Sequence, residues 1–122
     1  MKKYEFTGET KTLSNGVILH RIKALVKIEL GALSVNAGDL GGWIEKESNL
    51  SQEGSSWVFG NARVFGNARV LDGAWVYGNS QVFDGAWVYG DARVFSNARV
   101  RDDARVFGNS VETRPEIDHD QF

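Results

Sequence analysis

No cysteine occurs in the 122-residue chain, so neither a disulfide framework nor a thiolate metal site can be built from it. Histidine is nearly as scarce: His20 and His119 are the only two, too few for a three-histidine zinc centre. The single proline, Pro115, lies close to the end of the sequence, leaving the middle free of the residue that most disrupts sheet ladders. No stretch approaches the roughly 20 apolar residues of a membrane span, and the start, Met-Lys-Lys-Tyr-Glu-Phe, lacks the apolar run of a signal peptide. A net charge of -2 gives no overall attraction to nucleic acid or to an anionic membrane. These absences together predict a cytoplasmic protein without membrane association, and no cofactor or metal is expected.

What the chain has in abundance is one six-residue phrase. Val58, Val64, Val70, Val76, Val82, Val88, Val94, Val100 and Val106 follow one another at intervals of six without a slip. Two residues before each stands Ser56, Ala62, Ala68, Ala74, Ser80, Ala86, Ala92, Ala98 or Ala104. Self-similarity at a fixed short period marks a solenoid. In extended chain, Ala62 and Val64 share one face while Arg63 and Phe65 share the other. Burying the arginine face would strand unpaired charges at several kcal/mol each, so alanine and valine line the core. Gly60, Gly66, Gly73, Gly78, Gly85, Gly90 and Gly108, with the neighbouring asparagines and aspartates, fall at the corners.

The flanks are not repetitive. Residues 1–50 read as a small β-rich cap: Tyr4 and Phe6 alternate with polar neighbours, Ser14-Asn15-Gly16 is a turn, and Val17 to Val26 suits a second strand. A helix over about 18–30 fits the apolar spacing as well. Ala37 to Gly42 is expected to be loop or tight turn, because paired glycines suit unusual backbone conformations. A cap of this kind would cover the open end of a stacked solenoid. Residues 51–110 are the solenoid, and residues 111–122 an acidic tail that begins where Glu112 takes the place of a tenth valine.

The small residue, the branched aliphatic two positions later and the Gly-Asn corner resemble the hexapeptide repeat of left-handed parallel β-helix proteins. That resemblance implies an all-β, three-sided, left-handed coil of 18 residues, about three coils for nine hexads, and a habit of forming trimers. Gly41-Gly42-Trp43-Ile44, then Asn49-Leu50-Ser51-Gln52 with Gly54 and Trp57-Val58, is similar to the start of YdcK-like proteins, which are described as transferases and are frequent in bacteria and their prophages.

At 18 residues per coil the outward side chains sort into three faces. The first carries Trp57, Phe59, Trp75, Tyr77, Arg93 and Phe95, and is the expected oligomer or partner interface. The second carries Arg63, Phe65, Gln81, Phe83, Arg99 and Arg101, of which Arg63, Arg99, Arg101 and Phe65 are candidates for binding an anion or nucleotide. The third carries Arg69, Leu71, Trp87, Tyr89, Arg105 and Phe107. The function expected is a non-catalytic β-solenoid that self-associates, as a trimer, and binds a protein or small ligand; the prophage association makes a phage-encoded inhibitor one case of it. Two other readings stand beside it. One is an acyltransferase-like enzyme with its site between subunits, although no histidine lies in the coils to serve as general base. The other is a binder of nucleotide or single-stranded nucleic acid. An internal ladder, with arginine stacked on the aromatic ring one coil away, would account for the same residues without any partner. No catalytic residue is assigned.

Overall fold

The computed structural model describes residues 2–31 and 33–108 together with the backbone of 111–112. Each hexad contributes a two-residue strand, from β6 (Trp57–Val58) through β7 (Arg63–Val64), β8 (Arg69–Val70), β9 (Trp75–Val76), β10 (Gln81–Val82), β11 (Trp87–Val88), β12 (Arg93–Val94), β13 (Arg99–Val100) and β14 (Arg105–Val106). Each pairs in parallel with the strand three hexads away: Trp57 with Trp75, Arg63 with Gln81, Arg69 with Trp87. Period six in the sequence thus becomes an 18-residue coil. The nine valines are completely buried, and the small residue two positions before each is 0–1% exposed. Only alanine or serine leaves room for the facing valines in so thin a core.

In all nine hexads the first corner residue adopts the left-handed conformation: Gly60, Gly66, Asp72, Gly78, Asp84, Gly90, Ser96, Asp102 and Gly108, with φ between 53° and 69°. Asp72 and Asp84 tolerate it because the side chain gains a local partner. Asp72 Oδ2 accepts from the Gly90 N–H at 3.0 Å, and Asp84 Oδ2 from the Asp102 N–H at 3.1 Å, each one coil further on. Gly73 and Gly85, expected at corners for their conformational freedom, serve differently. They occupy the second corner position, where a Cβ would meet Asp91 Oδ1 at 2.9 Å and Asp103 Oδ1 at 2.5 Å.

The solenoid has about four turns rather than three. An additional coil precedes the regular ones and is built from β5 (Leu40–Ile44), Leu50 and β6, which pair with β7, Val70 and β9 respectively. Ile44, Leu50 and Val58 take its inward positions, but eight residues separate Leu50 from Val58, and this departure from six hides the coil from a periodic search. Gly41 and Gly42, expected in a turn, lie within β5. Neither has a left-handed backbone; a Cβ on Gly42 would stand 2.7 Å from both the Ala62 carbonyl oxygen and Val58 Cγ1, so the pair answers a lack of space. At the far end β15 (Val111–Glu112) adds one more parallel strand beside β12, so the backbone continues past the break in the valine register. The remaining tail, 113–122 with His119, lies outside the described residues.

Upstream, β1 (Tyr4–Thr12) and β2 (Ile18–Ala24) form an antiparallel hairpin, and β2 continues antiparallel onto β5. Residues 18–24 are therefore strand, and a second hairpin, β3 (Ile28–Leu30) with β4 (Leu33–Val35), follows in place of the alternative helix. The sheet order β1-β2-β5-β7-β10-β13 makes the hairpin an extension of the solenoid's second face. Because β2 pairs with the free edge of β5, the stack's open backbone edge on that face is covered. Among the described residues no helix is long and apolar enough to cross a membrane.

Two buried polar side chains fasten β1 to the first coil. The Tyr4 hydroxyl donates to the Leu50 carbonyl, and its ring packs edge-on against Trp57. The Lys3 ammonium, 4% exposed, donates to the Ser56 carbonyl at 2.8 Å and the Ser56 hydroxyl at 3.2 Å. Burial lowers the Lys3 pKa to about 8 and raises that of Tyr4, which the Glu47 charge raises further. Above pH 8 the unfolded chain keeps a proton on Lys3 that the folded chain releases, so stability rises with pH toward the ordinary lysine range. Above pH 10 the unfolded chain loses the Tyr4 proton first, so stability falls. The oxygens around Lys3 stabilise its ammonium and offset part of the desolvation, leaving a gain of roughly 1 to 2 kcal/mol from pH 8 to pH 10. Urea midpoints across pH 7–11 should pass through a maximum near pH 10, and the rising limb should be missing in Lys3→Met.

Candidate functional site

The hairpin that extends the second face also folds over it. At its tip the Leu13 N–H donates to the Val17 carbonyl at 2.8 Å, the Gly16 N–H to the Leu13 carbonyl at 2.9 Å, and the Val17 N–H to Asn15 Oδ1 at 3.1 Å. Gly16 takes φ 90°, which closes the turn. Leu13 and Val17 on either side of this turn pack with Leu19 against Trp43, Phe65 and Phe83, forming a small apolar cluster separate from the valine core. Between the tip and the second face runs a groove of about 720 Å³.

Three cations reach it from three strands. Lys11 comes from β1, with its ammonium 4.6 Å from the centre of the Trp43 ring; Arg63 and Arg99 come from β7 and β13 on either side of Gln81. The Arg63 guanidinium is half-buried and makes no ion pair or hydrogen bond among the described residues. Arg99 has only the edge of a cation–π contact, 5.9 Å from Phe83. One carboxylate, Asp84, stands among them, already accepting the Asp102 N–H. Three positive groups against one negative leave the groove locally cationic, and low-dielectric walls strengthen such a field.

Of the four residues proposed from sequence for anion binding, Arg63, Arg99 and Phe65 are brought together here. Arg101 follows Phe83 one coil on, half-buried and outside the groove lining. Phe65 and Phe83 stack face to face at 5.1 Å, and the hairpin tip lies over Phe65. One face of each ring is therefore taken by the other, while the hairpin tip packs on Phe65 and the Arg99 guanidinium stands 5.9 Å from the centre of Phe83, so the pair presents no bare stacking platform. Lys11, Leu13 and Val17 were missed. Their signal was two apolar residues flanking an exposed turn, which must find cover somewhere in the fold.

The first face is arranged otherwise. Trp57 is 1% exposed under Tyr4, so it is withdrawn from any partner surface, against expectation. Trp75 carries the Arg93 guanidinium at 3.8 Å, and that guanidinium also donates to the Asp91 carbonyl at 2.7 Å. Phe59 meets Trp75 and Tyr77 edge-on at 6.0 Å, and Tyr77 stacks on Phe95 at 5.1 Å. These contacts form a ladder within the chain, each worth about 0.5 to 1.5 kcal/mol. His20 stacks flat on Phe6 at 4.4 Å.

Residues 62–78, one coil of the stack just described, match the model of the YdcK beta solenoid repeat. The chain is a YdcK-like β-solenoid repeat protein. No curated protein matches it. Within this YdcK-like chain the matched coil contains Arg63 and Phe65, so the groove is built partly from the repeat and partly from the hairpin that precedes it.

Proposed function

We propose that this YdcK-like solenoid is a non-catalytic interaction module that holds an acidic peptide segment of a partner protein in the groove between the hairpin tip and the second face. The observation that carries the reading is the convergence of Lys11, Arg63 and Arg99, none charge-paired among the described residues, beside the apolar edges of Leu13, Val17, Phe65 and Phe83. Cations beside apolar edges suit carboxylate side chains interleaved with aliphatic ones. A nucleotide or single-stranded nucleic acid is less well served, because base stacking needs a free aromatic face, whereas Phe65 lies between Phe83 and the hairpin tip and Phe83 lies between Phe65 and the Arg99 guanidinium. Association of copies through the first face, as a trimer, draws less support, since its rings and Arg93 already contact one another.

The test is fluorescence anisotropy with a labelled peptide of alternating glutamate and leucine. It should bind the wild-type chain with a marked salt dependence. Arg63→Glu should weaken binding at least tenfold, corresponding to about 1.5 to 3 kcal/mol for a lost charge-assisted contact. A thymidine oligonucleotide of equal charge binding more tightly than the peptide would overturn the choice of ligand.

A further inference from the structure

A second cleft, of about 250 Å³, opens on the third face where the turn Glu47–Asn49 overhangs β8 and β11. We infer that it is a binding site for an uncharged carbohydrate, sized for about one pyranose ring and independent of the groove on the second face. Its floor is Trp87, 37% exposed and the most exposed of the solenoid's tryptophans, with Leu71 beside it. Arg105 lies 4.7 Å from the indole centre, whereas Arg69, from the strand on the cleft side, stands off at 5.8 Å. The indole is thus supported closely from below and only loosely covered from above.

The polar rim is mixed. The Arg69 guanidinium, with no acceptor among the described residues, can only donate. Glu47 can only accept; its Oε1 already takes the Gln52 amide at 2.8 Å and pairs with the exposed Lys2 ammonium at 3.3 Å, which leaves Oε2 open. Ser48 makes no hydrogen bond among the described residues, and Ser51 Oγ accepts the Glu53 N–H at 3.0 Å while keeping its own proton to donate. An anion entering here would meet Glu47 and a cation would meet Arg69. A purely apolar molecule would strip water from all four polar groups and return nothing. A pyranose satisfies both halves: its C–H face lies on an indole, and each hydroxyl both donates and accepts.

The experiment is a nitrogen-proton correlation titration of the whole chain with glucose, galactose, mannose and N-acetylglucosamine, and separately with sodium phosphate. The Trp87 indole resonance is assigned from Trp87→Phe. At least one sugar should shift that resonance and the Arg69 signals with millimolar affinity. Trp87→Ala should weaken the effect at least tenfold, Ser48→Ala, at an exposed position, about fivefold, and Arg63→Glu in the other groove not at all. Absence of a shift with every sugar, a response to phosphate alone, or a sugar shift that survives Trp87→Ala would each overturn the assignment.

Discussion

Asn49→Leu is expected to cost at least about 3 kcal/mol and to leave much of the chain unfolded at 37 °C. The Asn49 side chain is completely buried and uses all its hydrogen-bonding capacity on backbone. Its Oδ1 accepts from the Glu45 N–H at 3.0 Å and the Lys46 N–H at 2.9 Å, while its amide nitrogen donates to the Gly66 carbonyl at 3.1 Å and the Ala68 carbonyl at 2.9 Å. It therefore closes the first corner of coil one and ties that corner to coil two. Leucine is close in size but leaves the Lys46 N–H and the Gly66 and Ala68 carbonyls without this partner, while the Glu45 N–H keeps the Val64 carbonyl at 3.1 Å; each of the three losses costs about 1 to 3 kcal/mol. Against a total stability of about 5 to 15 kcal/mol, that loss is severe. Asn49→Asp should fail too, because a carboxylate would face two carbonyl oxygens. Thermal melts followed by circular dichroism provide the check. A loss within 1 kcal/mol for Asn49→Leu would mean that coil one is not fixed by this residue.

The second large effect comes from a single methyl group. Gly42→Ala should cost more than about 3 kcal/mol, since its Cβ would fall 2.7 Å from the Ala62 carbonyl oxygen and from Val58 Cγ1, and 3.2 Å from the Phe59 carbonyl oxygen. Two of these obstacles are backbone carbonyls already in use: that of Ala62 accepts the Trp43 N–H at 3.0 Å in the pairing of β5 with β7, and that of Phe59 accepts the Ala62 N–H at 3.0 Å in the corner, so neither yields without losing a hydrogen bond. Gly60→Ala is the informative comparison. Gly60 has φ 53° but open space around its Cβ position, so alanine there meets only the left-handed penalty of about 1 kcal/mol. Chemical denaturation of the two variants should separate steric exclusion from backbone conformation, and equal losses would contradict the assignment of Gly42 to a space-limited strand.

These cases show which parts of the molecule could be read from sequence. The coils were legible because the outward residue and the valine of each hexad face opposite ways, and a charge such as Arg63 cannot be placed inward. The three faces followed from adding 18, and the strand register agrees: Arg63, Gln81 and Arg99 share one column. Coil one was obscured by the eight-residue step from Leu50 to Val58 and by glycines whose usual meaning is a turn. Asn49 could be seen as part of a family resemblance, but its four bonds depend on the chain doubling back from Gly66 to Ala68. The groove was half legible. Its arginines belong to the repeat, whereas Lys11, Leu13 and Val17 arrive from about 50 residues upstream, through a hairpin that pairs with β5. A period cannot announce a contact between a repeating segment and a non-repeating one. The aromatic faces misled in one respect: the same spacing that gathers rings into a surface also lets them cover one another, as Phe65 and Phe83 do.

The central claim is that the cationic groove, rather than the aromatic first face, receives the partner. It is tested most directly by mapping amide and arginine side-chain shifts of the intact protein during titration with the glutamate-leucine peptide. The perturbed signals should cluster at Lys11, Leu13, Val17, Arg63, Gln81 and Arg99, and should collapse in Arg63→Glu. Shifts concentrated instead at Trp75, Tyr77, Arg93 and Phe95, with the groove unmoved, would contradict it.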